Sequence, residues 1–146
     1  MNSEFYKENR RRLYEKLPAG ALLAIFSGEE VRKTNDEYYP FFADRNFLYL
    51  TGLECKEAVL LAAKDSDGAV SEWLYILPPD MMAERWTGTR VKPYEASDIS
   101  GIKEILFCQN FEGDIRRIAA SGNYGFFIWI CIVSMLQILI ARLRNS

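Results

Sequence analysis

The chain has 146 residues, of which 49% are hydrophobic and 26% charged, a balance typical of one folded globular domain. Its 18 lysines and arginines against 20 aspartates and glutamates give a formal charge of -2, which argues against a nucleic-acid partner. Histidine is absent, so the chain lacks the side chain on which zinc sites, nucleophilic triads and most general-base catalysis near neutral pH depend.

The cysteines and the amino terminus indicate the cellular compartment of the protein. The 3 cysteines are widely spaced and form no Cys-x-x-Cys pair, which is typical of free thiols rather than of a disulfide framework or a zinc site. Met1 to Arg12 is polar and lacks the apolar core of a signal peptide. We therefore expect a cytoplasmic protein.

The amino-terminal third predicts a helix, a buried strand and a loop. Ser3 to Leu17 has apolar residues at helical spacing among charged ones, and Pro18 and Gly20 end the predicted helix. The apolar run Ala21 to Phe26 predicts a strand that is buried on both faces. The polar stretch Glu29 to Glu37 predicts a loop.

The middle of the chain predicts three further strands and a helical turn. The strands cover Asn46 to Thr51, Ala58 to Ala63 and Glu72 to Leu77. Asp80 is placed to cap a helical turn over Met81 to Arg85.

The carboxyl-terminal part continues the alternation. We expect a short helix from Ser97 or Asp98, a strand over Ile105 to Cys108, a helix over Phe111 to Ala120 and a strand after Tyr124. Strands interspersed with helices predict an α/β architecture with a mixed sheet.

Two segments concentrate unusual residues. In the first, Arg32 to Gly52, polar groups crowd against aromatics, and the simplest interpretation is a surface loop that enters a strand. Asp36 and Glu37 are adjacent, so a strand would point their carboxylates to opposite faces, which is poor geometry for an acid/base pair. An independent carboxylate enzyme based on these two residues is therefore disfavoured.

The second segment runs from Glu84 to Arg90. Trp86, with Arg85 beside it and Gly88 two residues on, can form a flat apolar wall with charged edges that recognises a peptide or a ring. An equal alternative is a tryptophan lid that packs on its own domain. Neither segment contains a reaction centre, and no glycine-rich phosphate-binding loop occurs.

Taken in order, these segments resemble the amino-terminal domain of aminopeptidase P, and creatinase and prolidase carry a looser version. The resemblance covers residues 4 to 125. Its motifs are Arg10-Arg11-Arg12, Asn35-Asp36, Phe47 to Gly52, Ala58-Val59-Leu60, Pro78-Pro79-Asp80 and Glu84 to Arg90.

The resemblance implies a ribonuclease-H-like α/β fold with a mixed sheet flanked by helices. In the family this domain precedes a catalytic domain that removes an amino-terminal residue before proline, using two divalent metal ions, commonly manganese. It implies a homo-oligomer and a proline-containing peptide substrate for the full-length enzyme, with no catalytic residue, metal ligand or cofactor in this chain. By resemblance, Asp36 lies near the entrance of the active site, and Trp86 forms part of the wall of the substrate site of a neighbouring subunit. The same resemblance implies that Arg90 stabilises the loop or an interface.

The tail departs from the family. We divide the chain into the family domain, residues 1–125, and an atypical apolar tail, residues 126–146, and we expect truncation by a frameshift near Phe126 or Phe127. The tail predicts a strand over Phe126 to Ile132 and a short helix over Met135 to Leu143. The alternative is a stand-alone binding or membrane-associated module anchored by Phe126 to Ala141, a stretch shorter than the roughly 20 residues that a bilayer-spanning helix needs.

Overall fold

A computed structural model describes residues 2–28, 43–121 and 124–130. It contains five helices and five strands in these ranges, with a short 3-10 turn, Cys108–Asn110, before the last helix. In chain order the elements are α1 Ser3–Lys16, β1 Ala21–Phe26, α2 Arg45–Thr51, β2 Val59–Lys64, β3 Val70–Ile76, α3 Met81–Thr87, α4 Pro93–Ser100, β4 Ile105–Phe107, α5 Phe111–Ala120 and β5 Phe126–Ile130.

The strands form one mixed sheet in the order β4-β3-β2-β1-β5. The β1–β2 and β2–β3 pairs are antiparallel, whereas β4 runs parallel to β3 and β5 runs parallel to β1. The carboxyl ends of β1, β3, β4 and β5 therefore lie at one edge, called here the carboxyl edge. This confirms the expected α/β fold with a mixed sheet flanked by helices.

Strand β1 shows why the sheet is covered on both faces. Its six residues are all buried, and successive side chains point to opposite sides of a strand. Leu23 and Ile25 join the core that α1, α2 and α4 cover, whereas Leu22 and Ala24 join the core under α5. The continuous apolar run read from the sequence is thus a central strand between two helical layers.

The predicted strand over Asn46 to Thr51 is wrong, because this segment forms helix α2. The Asp44 carboxylate caps it, accepting from the Asn46 and Phe47 amides at 2.9 and 3.2 Å. Phe47, Leu50 and Thr51 are its buried residues, at a spacing that places them on one helical face. The aromatic and β-branched residues favoured a strand, but the helical spacing of the buried side chains decided the outcome.

The predicted start of helix α4 was also wrong. Helix α4 begins at Pro93 rather than at Ser97 or Asp98. Proline suits the first turn of a helix because its missing N–H would have no partner there and its φ is already helical. The helix Phe111 to Ala120 is confirmed, and β2, β3 and β4 lie within two residues of the predicted bounds.

The carboxyl-terminal apolar run enters the sheet as β5, Phe126–Ile130. Residues 131–146, which carry the predicted short helix and most of the alternative anchor, lie outside the described residues. Within the part of the chain that the structure describes, no helix has both the length and the apolar character needed to cross a membrane.

Candidate functional site

The site is built on the long connection between β3 and α4, residues 77–92, which leaves the sheet at the carboxyl edge and carries α3. Helix α3 has no buried residue. Three large apolar side chains, Met81, Met82 and Trp86, are 84%, 69% and 86% exposed, and they are called here the α3 apolar patch. Trp86 therefore does not pack as a lid on the described part of its own domain. Exposed apolar side chains that are grouped in this way are typical of a contact surface.

Polar contacts hold the first turn of α3. The Asp80 carboxylate caps the helix, with Oδ1 accepting from the Met82 and Ala83 amides at 3.1 Å each. The Glu84 carboxylate accepts at both oxygens: Oε2 from the Asp80 amide at 3.3 Å and Oε1 from the Arg90 amide at 2.8 Å. The Glu84 carboxylate thus links Asp80, directly before the helix, to Arg90, after the helix.

Gly88 ends α3 with a φ of 96°, a conformation that side-chain-bearing residues rarely adopt. Its amide donates to the Glu84 carbonyl at 3.1 Å. The chain can therefore reverse direction directly after Trp86 and Thr87.

Arg90 lies on the inner side of the loop. Its Nη1 donates to the Pro78 carbonyl at 2.7 Å, so the guanidinium group binds the start of the connection while the Arg90 amide binds Glu84. Arg90 Nε is buried and has no hydrogen-bond partner among the described residues. Trp86 and Arg90 are thus four residues apart in one loop, one exposed to solvent and the other half-buried.

Two concavities adjoin the loop. A cavity of about 180 Å³ lies between residues 87–91 and residues 54–56, with Leu77 in its wall. An open groove of about 510 Å³ runs from the same residues 89–91 to helices α2 and α4, where Leu48 and Ile99 line it. Arg90 and Cys55 line both.

The two described cysteines do not supply a nucleophile. Burial raises the pKa of the Cys55 thiol to about 11 and that of the Cys108 thiol to about 12. The Cys108 thiol also donates to the Glu57 carbonyl at 2.8 Å. Both thiols are therefore protonated at neutral pH, whereas nucleophilic attack requires the thiolate.

The described residues do not fit a metal centre. No group of three or more histidine, cysteine, aspartate or glutamate side chains converges within residues 2–28, 43–121 and 124–130. The carboxylates nearest the α3 apolar patch, those of Asp80 and Glu84, already accept backbone N–H groups. We therefore derive no metal-dependent step from this chain.

The structure brings Trp86 and Arg90 into one loop, but Asp36 lies outside the described residues. Sequence reasoning missed Met81 and Met82 as members of the site, and it included Glu84 in the second segment without giving it a role. Met82 and Trp86 are four residues apart, a spacing that places two side chains on one face of a helix, but the predicted helical turn, Met81 to Arg85, ended one residue before Trp86. That spacing was the available signal for the apolar patch.

The family comparison identifies the domain. Residues 6–126 match the family model described as aminopeptidase P, N-terminal domain. The chain is 31% identical over 115 residues to an Xaa-Pro aminopeptidase of Haemophilus influenzae, covering 79% of this chain and 26% of that protein. It is 31% identical over 129 residues to an Xaa-Pro aminopeptidase of Escherichia coli K12, covering 83% of this chain and 29% of that protein.

Solved structures agree with the sequence relatives. A protein of Bacillus anthracis assigned to aminopeptidase P superposes with a TM-score of 0.84 at 32% identity, covering 88% of this chain and 30% of that one. Aminopeptidase P of Escherichia coli with the inhibitor Pro-Leu superposes with a TM-score of 0.73 at 26% identity, covering 80% of this chain and 27% of that one. The chain thus spans 26% and 29% of the length of the two curated bacterial relatives.

Proposed function

The chain belongs to the aminopeptidase P, N-terminal domain family, and from that premise we propose that it serves as the non-catalytic domain of an Xaa-Pro aminopeptidase. In this proposal the whole enzyme removes an amino-terminal residue that precedes proline, using two divalent ions, for which we propose manganese, held outside this chain. The free cysteines Cys55 and Cys108 support a cytoplasmic location.

The observation that supports a contact role most strongly is the α3 apolar patch. A tryptophan that is 86% exposed on a helix without buried residues makes no packing contribution to its own core. An indole ring offers about 150–250 Å² of surface to a partner. We propose that Trp86 contacts a neighbouring subunit of a homo-oligomer and forms an apolar wall beside that subunit's proline-containing peptide.

Of the other two proposed wall residues, Arg90 lies within the described residues and Asp36 lies outside them. Arg90 contributes indirectly, since its guanidinium group and amide bind the loop that carries Trp86. Asp36 stays a proposed neighbour of the active-site mouth, on the family resemblance.

Sedimentation velocity over a range of protein concentrations tests the contact role. Wild type should associate as its concentration rises, and Trp86→Ala should associate at least about 30-fold more weakly, as expected for loss of about 2 kcal/mol at an interface hot spot. Tyr94→Ala is the matched control, because Tyr94 is also an exposed aromatic, 62% accessible, but lies on α4. Association of Trp86→Ala at the wild-type affinity, or a wild type that stays monomeric throughout, would refute a Trp86 contact between copies of this chain.

We also propose that the family domain ends near residue 125 and that the tail, residues 126–146, results from a frameshift. The family match, which ends at residue 126, supports this boundary. Sequencing the encoding DNA and translating all frames downstream tests it. An aminopeptidase P catalytic domain in another frame is the expected result, and its absence from every frame would overturn the frameshift.

A further inference from the structure

We propose that Glu84 is a positioning residue, whose carboxylate fixes the α3 apolar patch by binding the backbone on both sides of the helix. The inference rests on the proposed function only in treating Trp86 as the contacting side chain. The closure of the loop by Glu84 can be tested whether or not Trp86 binds a partner.

Helix α3 needs such a stabilising contact because it is short and has no buried residue. Helix α3 runs over Met81–Thr87, seven residues, and none of them is buried. Helices shorter than about 12 residues are marginal in water without tertiary packing. Because no apolar side chain of α3 enters the core, polar contacts with the flanking chain must supply its order.

Glu84 supplies the contact that joins the two flanks. Its Oε2 accepts from the Asp80 amide before the helix at 3.3 Å, and its Oε1 accepts from the Arg90 amide after the helix at 2.8 Å. Both bonds are charge-assisted, and the negative carboxylate lies near the amino-terminal end of the helix, where its charge is favourable. One side chain therefore closes the loop from Asp80 to Arg90 with Trp86 between its ends.

A further hydrogen bond connects this closed loop to the end of strand β3. Arg90 Nη1 donates to the Pro78 carbonyl at 2.7 Å, just after β3 ends at Ile76. Pro78 and Pro79 have restricted φ angles, so this part of the backbone is stiff. The polar contacts thus connect Trp86 to the sheet through Glu84, Arg90 and Pro78.

The geometry demands a carboxylate at position 84. Both groups that face Glu84 are N–H donors, and a carboxylate can accept at each of its oxygens. Glutamine has nearly the same shape, but its NH₂ group would face one of these donors. Glu84→Gln should therefore break one of the two bonds while leaving the size of the side chain unchanged.

The test uses the full chain with 5-fluorotryptophan and compares Glu84→Gln with Glu104→Gln, the same change at an exposed residue before β4. In Glu84→Gln we expect hydrogen exchange to rise at least about tenfold, the equivalent of about 1.4 kcal/mol, at whichever of the Asp80 and Arg90 amides faces the glutamine NH₂ group. The fluorine resonance of Trp86, assigned with Trp86→Phe, should shift or broaden while that of Trp73 stays in place. Glu104→Gln should match wild type in both measurements.

The melting temperature separates positioning from a role in the core. It should stay within about 2 °C of wild type in Glu84→Gln, because α3 contributes no buried residue. A larger drop would assign Glu84 to the stability of the fold and overturn the proposal. Unchanged exchange at Asp80 and Arg90 would overturn it as well.

Failure of this inference can be told apart from failure of the proposed function. If Trp86→Ala weakens association but Glu84→Gln leaves the amides and the Trp86 resonance unchanged, the contact role stands and the positioning role fails. If Glu84→Gln loosens the loop but Trp86→Ala associates as wild type does, the positioning role stands and the contact role fails.

Discussion

Arg10 on α1 donates from Nε to the Glu72 carboxylate on β3, with 2.9 Å between Nε and Oε2. The Tyr14 hydroxyl donates to the same oxygen at 2.8 Å. Arg10 is only 2% exposed, and its Nη1 also donates to the Leu50 and Ser100 carbonyls at 2.8 and 2.7 Å. Those carbonyls lie in the last turns of α2 and α4, where a cation is favourable. One guanidinium group thus joins three helices to the sheet.

Replacing Arg10 should lower the free energy of unfolding more than replacing any exposed arginine of α1. Arg10→Met leaves the Glu72 carboxylate without its cation and removes a donor from two helix ends. We expect the free energy of unfolding to fall by about 3–5 kcal/mol, the range for breaking a buried ion pair. Urea denaturation followed by circular dichroism measures it.

Arg12→Met is the control for Arg10→Met. Arg12 is exposed, and among the residues that the structure describes it pairs only with Glu8 on its own helix, at 3.4 Å. Its loss should change the free energy of unfolding by less than about 0.5 kcal/mol. Equal losses in the two variants would show that the interhelical contacts of Arg10 contribute nothing.

Gly52 is required by two features of the same position. Its φ is 74°, and a Cβ placed there would lie 2.5 Å from the ring of Tyr6 on α1. Gly52→Ala should therefore combine a left-handed backbone penalty of about 1–2 kcal/mol with a steric clash that displaces the Tyr6 ring from its position against α2. Chemical denaturation measures the total loss.

Gly68→Ala isolates the backbone part of that loss. Gly68 has a φ of 89°, but a Cβ there would meet no atom within 4 Å. We expect Gly52→Ala to be destabilised by at least about 1 kcal/mol more than Gly68→Ala, because only Gly52 adds overpacking. The interpretation of α1 packing fails if the two losses agree.

The buried thiols predict a loss of stability at alkaline pH. Burial raises the pKa of Cys55 from 9.0 to about 11 and that of Cys108 from 9.0 to about 12. Above pH 9 the unfolded chain releases these protons while the folded chain keeps them, so unfolding becomes more favourable. The free energy of unfolding should be level near pH 7–8 and fall between pH 9 and about 11–12.

A double variant, Cys55→Ala with Cys108→Ala, tests the source of that slope. Burial also raises the pKa of Tyr14 well above 10.0, so the variant should lose stability only from about pH 10 upward. Denaturation curves at half-unit pH steps compare the two proteins. A decline of equal steepness from pH 9 in the double variant would assign the effect to other groups.

The success of the sequence-based predictions followed the strength of the local pattern. The run Ala21 to Phe26 is continuously apolar and the segment Phe111 to Ala120 has apolar residues at helical spacing, and both elements were found. Segment 45–51 contains residues that favour strands, but its buried side chains are spaced as on one face of a helix. Its conformation therefore depended on which side chains the rest of the fold buries.

The candidate site was predictable in part for a related reason. The exposed tryptophan lies in a motif that the sequence displays, so Trp86 and Arg90 could be named in advance. The role of Glu84 could not, because it depends on Asp80 and Arg90 meeting across a folded loop. The placement of β5 beside β1 is likewise a long-range pairing that no local pattern specifies.

The most direct test of a non-catalytic role is a hydrolysis assay of the purified chain with an Xaa-Pro peptide and manganese. The Escherichia coli Xaa-Pro aminopeptidase serves as the positive control, and peptide with manganese alone serves as the blank. We predict that release of the amino-terminal residue stays at the blank rate at every concentration of the chain. Release that rises in proportion to the concentration of the chain, and that persists after further purification, would contradict a non-catalytic role.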